Sequence, residues 1–161
     1  MAAPPRSLKG RALQWLAQRE HSRAEMQRKL LPHARALAAE APEPGEVMAR
    51  VTEVLDWLQA HQYLSERRFA ESRIHVRAAR HGNLRIRQEL AQHGITLDAD
   101  AAQALKSSEF ERAREVWARK FGAPAADAAG RARQARFLTG RGFSPETVRR
   151  VLRQSGTPGD D

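Results

Sequence analysis

The 161-residue chain carries 24 Arg and 4 Lys against 19 acidic residues, a formal net charge of +9, and it has no Cys. No disulfide framework or thiolate metal site is therefore possible, no apolar run approaches the ~18 residues of a membrane span, and the start MAAPPRSLKG lacks the apolar core of a signal peptide, so an unexported, cytoplasmic protein is expected. The hydrophobic share is 41%, but 29 of those residues are Ala and only 30 residues are Leu, Ile, Val or Phe, so the core is expected to be thin.

Helix signals run through the whole chain, and no strand-like alternation persists. The first helix-start signal is Ser22 with Glu25, the spacing of a capping box. Met26 and Leu30 follow on one face, then the insertion ALAAEAPEPG, which holds most of an acidic break in an otherwise basic chain. Val51, Val54 and Leu55 mark the next helix, with Trp57 and Leu58 at core spacing. Ser65 starts another, with Leu64 and Phe69 at the two positions of a hydrophobic staple. Ile86 and Leu90 repeat the spacing of Met26 and Leu30. Gly94 then fits the left-handed C′ position of a helix stop, with Ile95 at C″ and Leu90 at C3. Ala101, Ala104 and Leu105 form the following helix face. GAPAADAAG, 122–130, reads either as a loop or as the weak start of a helix. Gly142, Phe143 and Leu138 repeat the stop, and Ser144 with Pro145 opens the last helix, stapled by Phe143 and Val148.

These signals recur as helix, helix, helix. The expected fold is all-α, three tandem three-helix repeats forming an elongated, curved array, with units at 8–62, 63–107 and 108–155 and flexible tails at 1–7 and 156–161. The first unit lacks a Gly stop and carries the insertion instead.

Active-site patterns are missing. The chain has no phosphate loop, no dinucleotide glycine fingerprint and no nucleophile elbow, and its six His include no H-x-x-x-H pair. No catalytic residue, no metal site and no cofactor is expected. The histidines are read as surface or boundary residues. Glu109, Glu111 and Glu115, interleaved with Arg112, Arg114 and Arg119, are read as salt-bridged surface.

A basic stripe is more informative. A pI near 11.2 points to a polyanionic partner, most often nucleic acid. Arg73, Arg77 and Arg80 are spaced i, i+4, i+7 and share one helix face, and Arg85 and Arg87 carry the charge into the next helix. Arg149, Arg150 and Arg153 form a second, weaker patch. Guanidinium binds phosphate bidentately, so these eight residues are the candidate contacts to DNA or a DNA-bound filament. Two other readings compete: internal pairing with the acidic segment 40–56, or a solvated face. The aromatic residues sit mostly at core spacings, so recognition is expected to be electrostatic rather than by base stacking.

REHSRAEMQRKL (Arg19 to Leu30), YLSERRFA (Tyr63 to Ala70), RIRQELAQHGI (Arg85 to Ile95) and RFLTGRGFSPETVRRVL (Arg136 to Leu152) closely resemble, in order, the RecX family of bacterial recombination regulators. The sequence departs from the family at Gln62, where Gly usually precedes Tyr, and in the longer loop after Leu30. The resemblance implies three tandem three-helix units and a non-enzymatic regulator. It implies binding to the RecA recombinase, chiefly as the filament on DNA in recombination, repair and the SOS response, and inhibition of its ATPase, strand exchange and filament growth. The implied partners are RecA and, weakly and without sequence preference, single- and double-stranded DNA, with no membrane partner and a monomeric chain. A direct DNA-binding protein, transcriptional or architectural, reading a groove with a helix-turn-helix-like unit, is the alternative.

Overall fold

In the computed structural model, residues 7–38 and 41–156 are described. The tails expected to be flexible lie, apart from Ser7 and Gly156, outside the described residues, as do residues 39 and 40 of the insertion. Eight helices and no strands are present among the described residues: α1 Leu8–Gln18, α2 Arg23–Leu37, α3 Pro44–Ala60, α4 Glu66–Ala78, α5 Asn83–Gln92, α6 Ala99–Lys120, α7 Ala128–Gly140 and α8 Pro145–Ser155. GAPAADAAG resolves into a loop followed by the first turn of α7, which Asp127 caps by accepting from Gly130 N–H.

Contacts divide the chain into two compact units, Met1–Ser72 and Arg73–Asp161. In the first, α2 packs on α3 and α1 on both. Met26, Leu30, Val51, Leu55 and Leu58, all fully buried, centre its core. In the second, α6 packs against α7 and α8 and also meets α5. Ala113, Leu138, Phe143 and Val151 centre that core. At ~25 cal/mol per Å² of apolar surface, each such large side chain contributes roughly 1.5–3 kcal/mol.

The helix starts are made as their residue types dictate. Ser22, Ser65 and Ser144 each accept, through Oγ, a backbone N–H three residues on. Phe143 and Val148 are buried together in one core, and Leu64 and Phe69 are each buried. The stops are Schellman motifs. Ile95 N–H donates to Leu90 O and Gly94 N–H to Ala91 O, and Phe143 N–H donates to Leu138 O and Gly142 N–H to Thr139 O. Both glycines have positive φ. α3 ends in the same way without glycine: Tyr63 N–H donates to Leu58 O, Gln62 N–H to Gln59 O, and Gln62 itself takes φ 61°. α2, which has no glycine stop, runs on to Leu37 and ends in extended backbone at Ala38.

Two features of the second unit were not legible from periodicity. α6 is unbroken across residues 107 and 108, so one 22-residue helix continues from the Ala101–Leu105 face to the Val116–Trp117 face. The start of α5 also meets the turn after α7 backbone to backbone. Gly82 N–H donates to Arg141 O at 2.9 Å and Leu84 N–H to Gly142 O at 3.1 Å. A Cβ on Gly82 would lie 2.2 Å from Phe143 N, so only glycine permits that approach.

Candidate nucleic-acid interface

The candidate arginines all lie in the second unit, on α5, α8, and α4 with the turn after it. Two polar side chains of α6, buried Glu109 and half-buried Arg112, hold these elements. Glu109 is 3% exposed. Its Oε2 accepts from Asn83 N–H at 2.8 Å, at the start of α5. Its Oε1 accepts from Ser144 N–H, Ser144 Oγ and Thr147 Oγ1 at 3.1, 2.7 and 2.6 Å, at the start of α8. One carboxylate therefore satisfies donors at two helix N-termini, where the helix dipoles also favour negative charge. Burial acts to raise the Glu109 pKa, but the bonds from Thr147, Ser144 and Asn83 outweigh it and hold the carboxyl below its ordinary value. Arg112, one turn along, donates through Nη1 to the carbonyls of Ala78 and His81 at 3.1 and 2.8 Å, and through Nη2 to Asn83 Oδ1. It thereby collects carbonyls at the end of α4 that the helix leaves open. Glu109 and Arg112 are thus not salt-bridged surface, as their setting in the sequence suggested. Glu111 and Arg114 are, at 3.4 Å with both side chains well exposed, and Glu115 is exposed.

On the stripe, Arg73 and Arg77 converge on Glu89 of α5. Arg77 grips it with two bonds, Nε to Oε2 at 2.9 Å and Nη2 to Oε1 at 3.3 Å, and Arg73 Nη1 lies 3.6 Å from Oε1. Arg80 is exposed and forms no ion pair among the described residues. Arg85 and Arg87 are exposed on α5, Arg85 donating to Gly140 O at 3.1 Å. On α8, Arg149, Arg150 and Arg153 are exposed, and the Arg150 guanidinium stacks over the Phe110 ring at 3.9 Å. Within the acidic segment, Asp56 pairs with Arg23 at 2.8 Å, and Glu46 and Glu53 are exposed. Glu89, which Arg73 and Arg77 share, lies two residues past Arg87, on the helix after α4.

Arg77 and Glu89, with His81, Arg85, Gln88 and His93, line an open depression of about 440 Å³. Burial pulls the His81 pKa below 6.5, and Arg85 and Arg141 push it the same way, so the ring adds no charge there at neutral pH. Among the described residues no group of His, Cys, Asp or Glu is arranged to hold a metal ion, and no helix is long and apolar enough to cross a membrane.

Two side chains in the first unit depart from expectation. His21 is not a surface residue but is 1% exposed. Lys29 Nζ lies 2.9 Å from its Nε2 and Arg19 O lies 3.0 Å from its Nδ1. An ammonium only donates, so Nε2 accepts and the single ring proton sits on Nδ1. Trp57, read as core, is half-buried against the first core, and its outer part stacks with His61 and with Tyr63, which is 48% exposed.

Comparison with known proteins agrees with this architecture. Family models described as "RecX, second three-helix domain" and "RecX, third three-helix domain" match residues 65–105 and 107–152. The chain is 55% identical to the regulatory protein RecX of Leptothrix cholodnii over 93% of its length and 90% of that protein. It is 46% identical to that of Ralstonia nicotianae over 100% and 97%, and 36% identical to that of Chromobacterium violaceum over the same shares. The crystal structure of RecX from Lactobacillus salivarius superposes with a TM-score of 0.67 over 91% of this chain and 93% of that one, at 18% identity, a likeness of fold. A helical array built from three-helix domains, with sequence identity of this extent along nearly its whole length, belongs to the RecX family of regulatory proteins.

Proposed function

We propose that the chain binds the RecA recombinase assembled as a filament on DNA and restrains it, slowing ATP hydrolysis and strand exchange and limiting filament growth in recombination and repair. Family membership carries this reading. The surface of the second unit supports it: Arg80, Arg85, Arg87, Arg149, Arg150 and Arg153 are all exposed there. In this reading the chain acts as a monomer in the cytoplasm, needs no cofactor and catalyses no reaction itself. Three units, 8–62, 63–107 and 108–155, present the contact surface, and the arginines touch phosphates between recombinase subunits. Contact with single- or double-stranded DNA alone is weak and indifferent to sequence, because charge attracts the phosphate backbone equally along it.

The test is the ATPase of the recombinase on single-stranded DNA with and without the chain. Added protein is expected to slow hydrolysis, and the chain alone to turn over no nucleotide. Full activity at saturating, demonstrably bound protein would contradict the proposal. For DNA alone, neutralising ~4–6 phosphates predicts a log–log salt slope of roughly −3 to −5. A strong preference for one duplex sequence would favour a groove-reading protein instead.

A further inference from the structure

We propose that Glu89 is a built-in phosphate mimic, which occupies the Arg73–Arg77 pair in the free protein and must be displaced for a nucleic-acid phosphate to use it. The inference rests on the reading of the stripe as a nucleic-acid contact and adds what limits that contact. Its basis is geometric. A carboxylate gripped by two bonds from the Arg77 guanidinium, with a second guanidinium 3.6 Å away, is in the arrangement that guanidinium groups offer a phosphate oxygen pair. The cluster is not sealed in the core: the side chains of Arg73, Arg77 and Glu89 are 28%, 39% and 22% exposed. Arg77 and Glu89 lie on the wall of the 440 Å³ depression, and Arg85 lies on that wall too. An incoming phosphodiester therefore meets a half-open site already filled by one negative charge. Two consequences follow. The free protein offers fewer unpaired guanidinium groups than its seven arginines from Arg67 to Arg87 suggest. DNA affinity is also held down by a competitor of fixed local concentration, which suits a regulator meant to engage DNA only where a second, protein partner adds to binding.

The experiment measures binding of a fluorescein-labelled oligo(dT) to the full chain by anisotropy across a salt series. It compares wild type, Glu89→Gln, Arg73→Gln/Arg77→Gln and the triple combination. Gln keeps the length of Glu and removes the charge. Glu89→Gln is expected to bind about tenfold more tightly near 0.1 M salt, with a salt slope steeper by about one to two units. Both gains should vanish in the background lacking the two arginines. If Glu89→Gln binds equally or less tightly while Arg73→Gln/Arg77→Gln weakens binding, the stripe is a contact and Glu89 merely orients it, and the proposal is overturned. If removal of the two arginines changes nothing, the reading of the stripe fails as well. A wild-type measurement guards against misfolding of the variant: the Arg77 Nε–H resonance should shift on addition of oligo(dT), as carboxylate is exchanged for phosphate. Binding of oligo(dT) with that resonance unmoved would also overturn the proposal.

Discussion

At the scale of single residues, three helix stops offer an internal comparison. Gly94, Gly142 and Gln62 all sit in the left-handed region, with φ of 71°, 90° and 61°. A side chain there costs about 1–2 kcal/mol unless it is glycine. A Cβ on Gly94 meets nothing within 4 Å, whereas one on Gly142 would lie 2.4 Å from Arg85 Cβ and 2.8 Å from Arg85 N. Gly94→Ala is therefore expected to cost about 1 kcal/mol, from backbone conformation alone. Gly142→Ala adds a clash with the backbone of α5 and is expected to cost about 3 kcal/mol or more. Gln62→Gly, which relieves the conformation but loosens the unfolded chain, should stabilise by about 0.5 kcal/mol. Urea melts of the three variants test the order; equal losses for the two Ala variants would show that the approach of Arg85 to Gly142 carries no energy.

At the scale of elements, the orientation of α5 and α8 depends on one carboxylate of α6. Glu109 takes donors from both helix starts. A related device holds the first unit, where Glu66 Oε1 accepts from the N–H of Arg23, the first residue of α2, at 2.5 Å. Both glutamates follow a serine, Ser65 and Ser108, and both reach the first residue of a helix that lies earlier in the chain. The recurring unit thus includes a tie from a later helix back to the start of an earlier one, α4 to α2 and α6 to α5, as well as the pattern of apolar faces. Glu109→Gln retains the shape but replaces one charged acceptor oxygen with a donor that faces donors. It is expected to cost about 3 kcal/mol. Glu111→Gln, on the exposed side of the same helix, is expected to stay within about 0.5 kcal/mol. Thermal melts of the pair decide; similar losses would return Glu109 to the status of a surface residue.

At the scale of the whole molecule, the histidines and carboxylates whose titration is perturbed act in one direction. Burial holds His21 below 6.5, and burial with Arg85 and Arg141 does the same for His81. Each folded pKa is depressed, so the stability these rings contribute is present above pH 6.5 and is lost as pH falls below it. Glu109, and Glu25 beside Arg19, are held below 4.5 against the opposing effect of their own burial, so their contribution is lost at still lower pH. The net charge of +9 rises as acids and histidines take up protons, which adds self-repulsion. Melting temperature is therefore expected to be highest at neutral to mildly basic pH. It should fall from about pH 6.5 downward, then more steeply as the carboxylates protonate. A melting temperature unchanged between pH 7.5 and 5 would rule out buried, neutral histidines in the folded state.

The helical class, the caps at Ser22, Ser65 and Ser144 and the glycine stops at Gly94 and Gly142 were legible in the sequence, because each depends on residues within a turn or two of one another. Ser144 meets Thr147 three positions on, and Leu138 meets Phe143 five positions on. The Gln62 stop showed in the sequence only as a place where the resembled family has Gly, because a left-handed residue other than glycine has no signature in composition. What lay beyond the sequence were pairings across elements. Glu109 meets partners 26, 35 and 38 positions away. Arg85 reaches Gly140, 55 away. The pairing of Arg77 with Glu89 spans only 12 positions, but it crosses from one helix to the next. Charge pattern alone could not distinguish a glutamate that solvates a helix face from one buried under two helix starts, since both are flanked by arginines in the chain. Packing made that decision: it removed water from one side of α6 and left it on the other, and a carboxylate deprived of water must be answered by donors that only folding brings near.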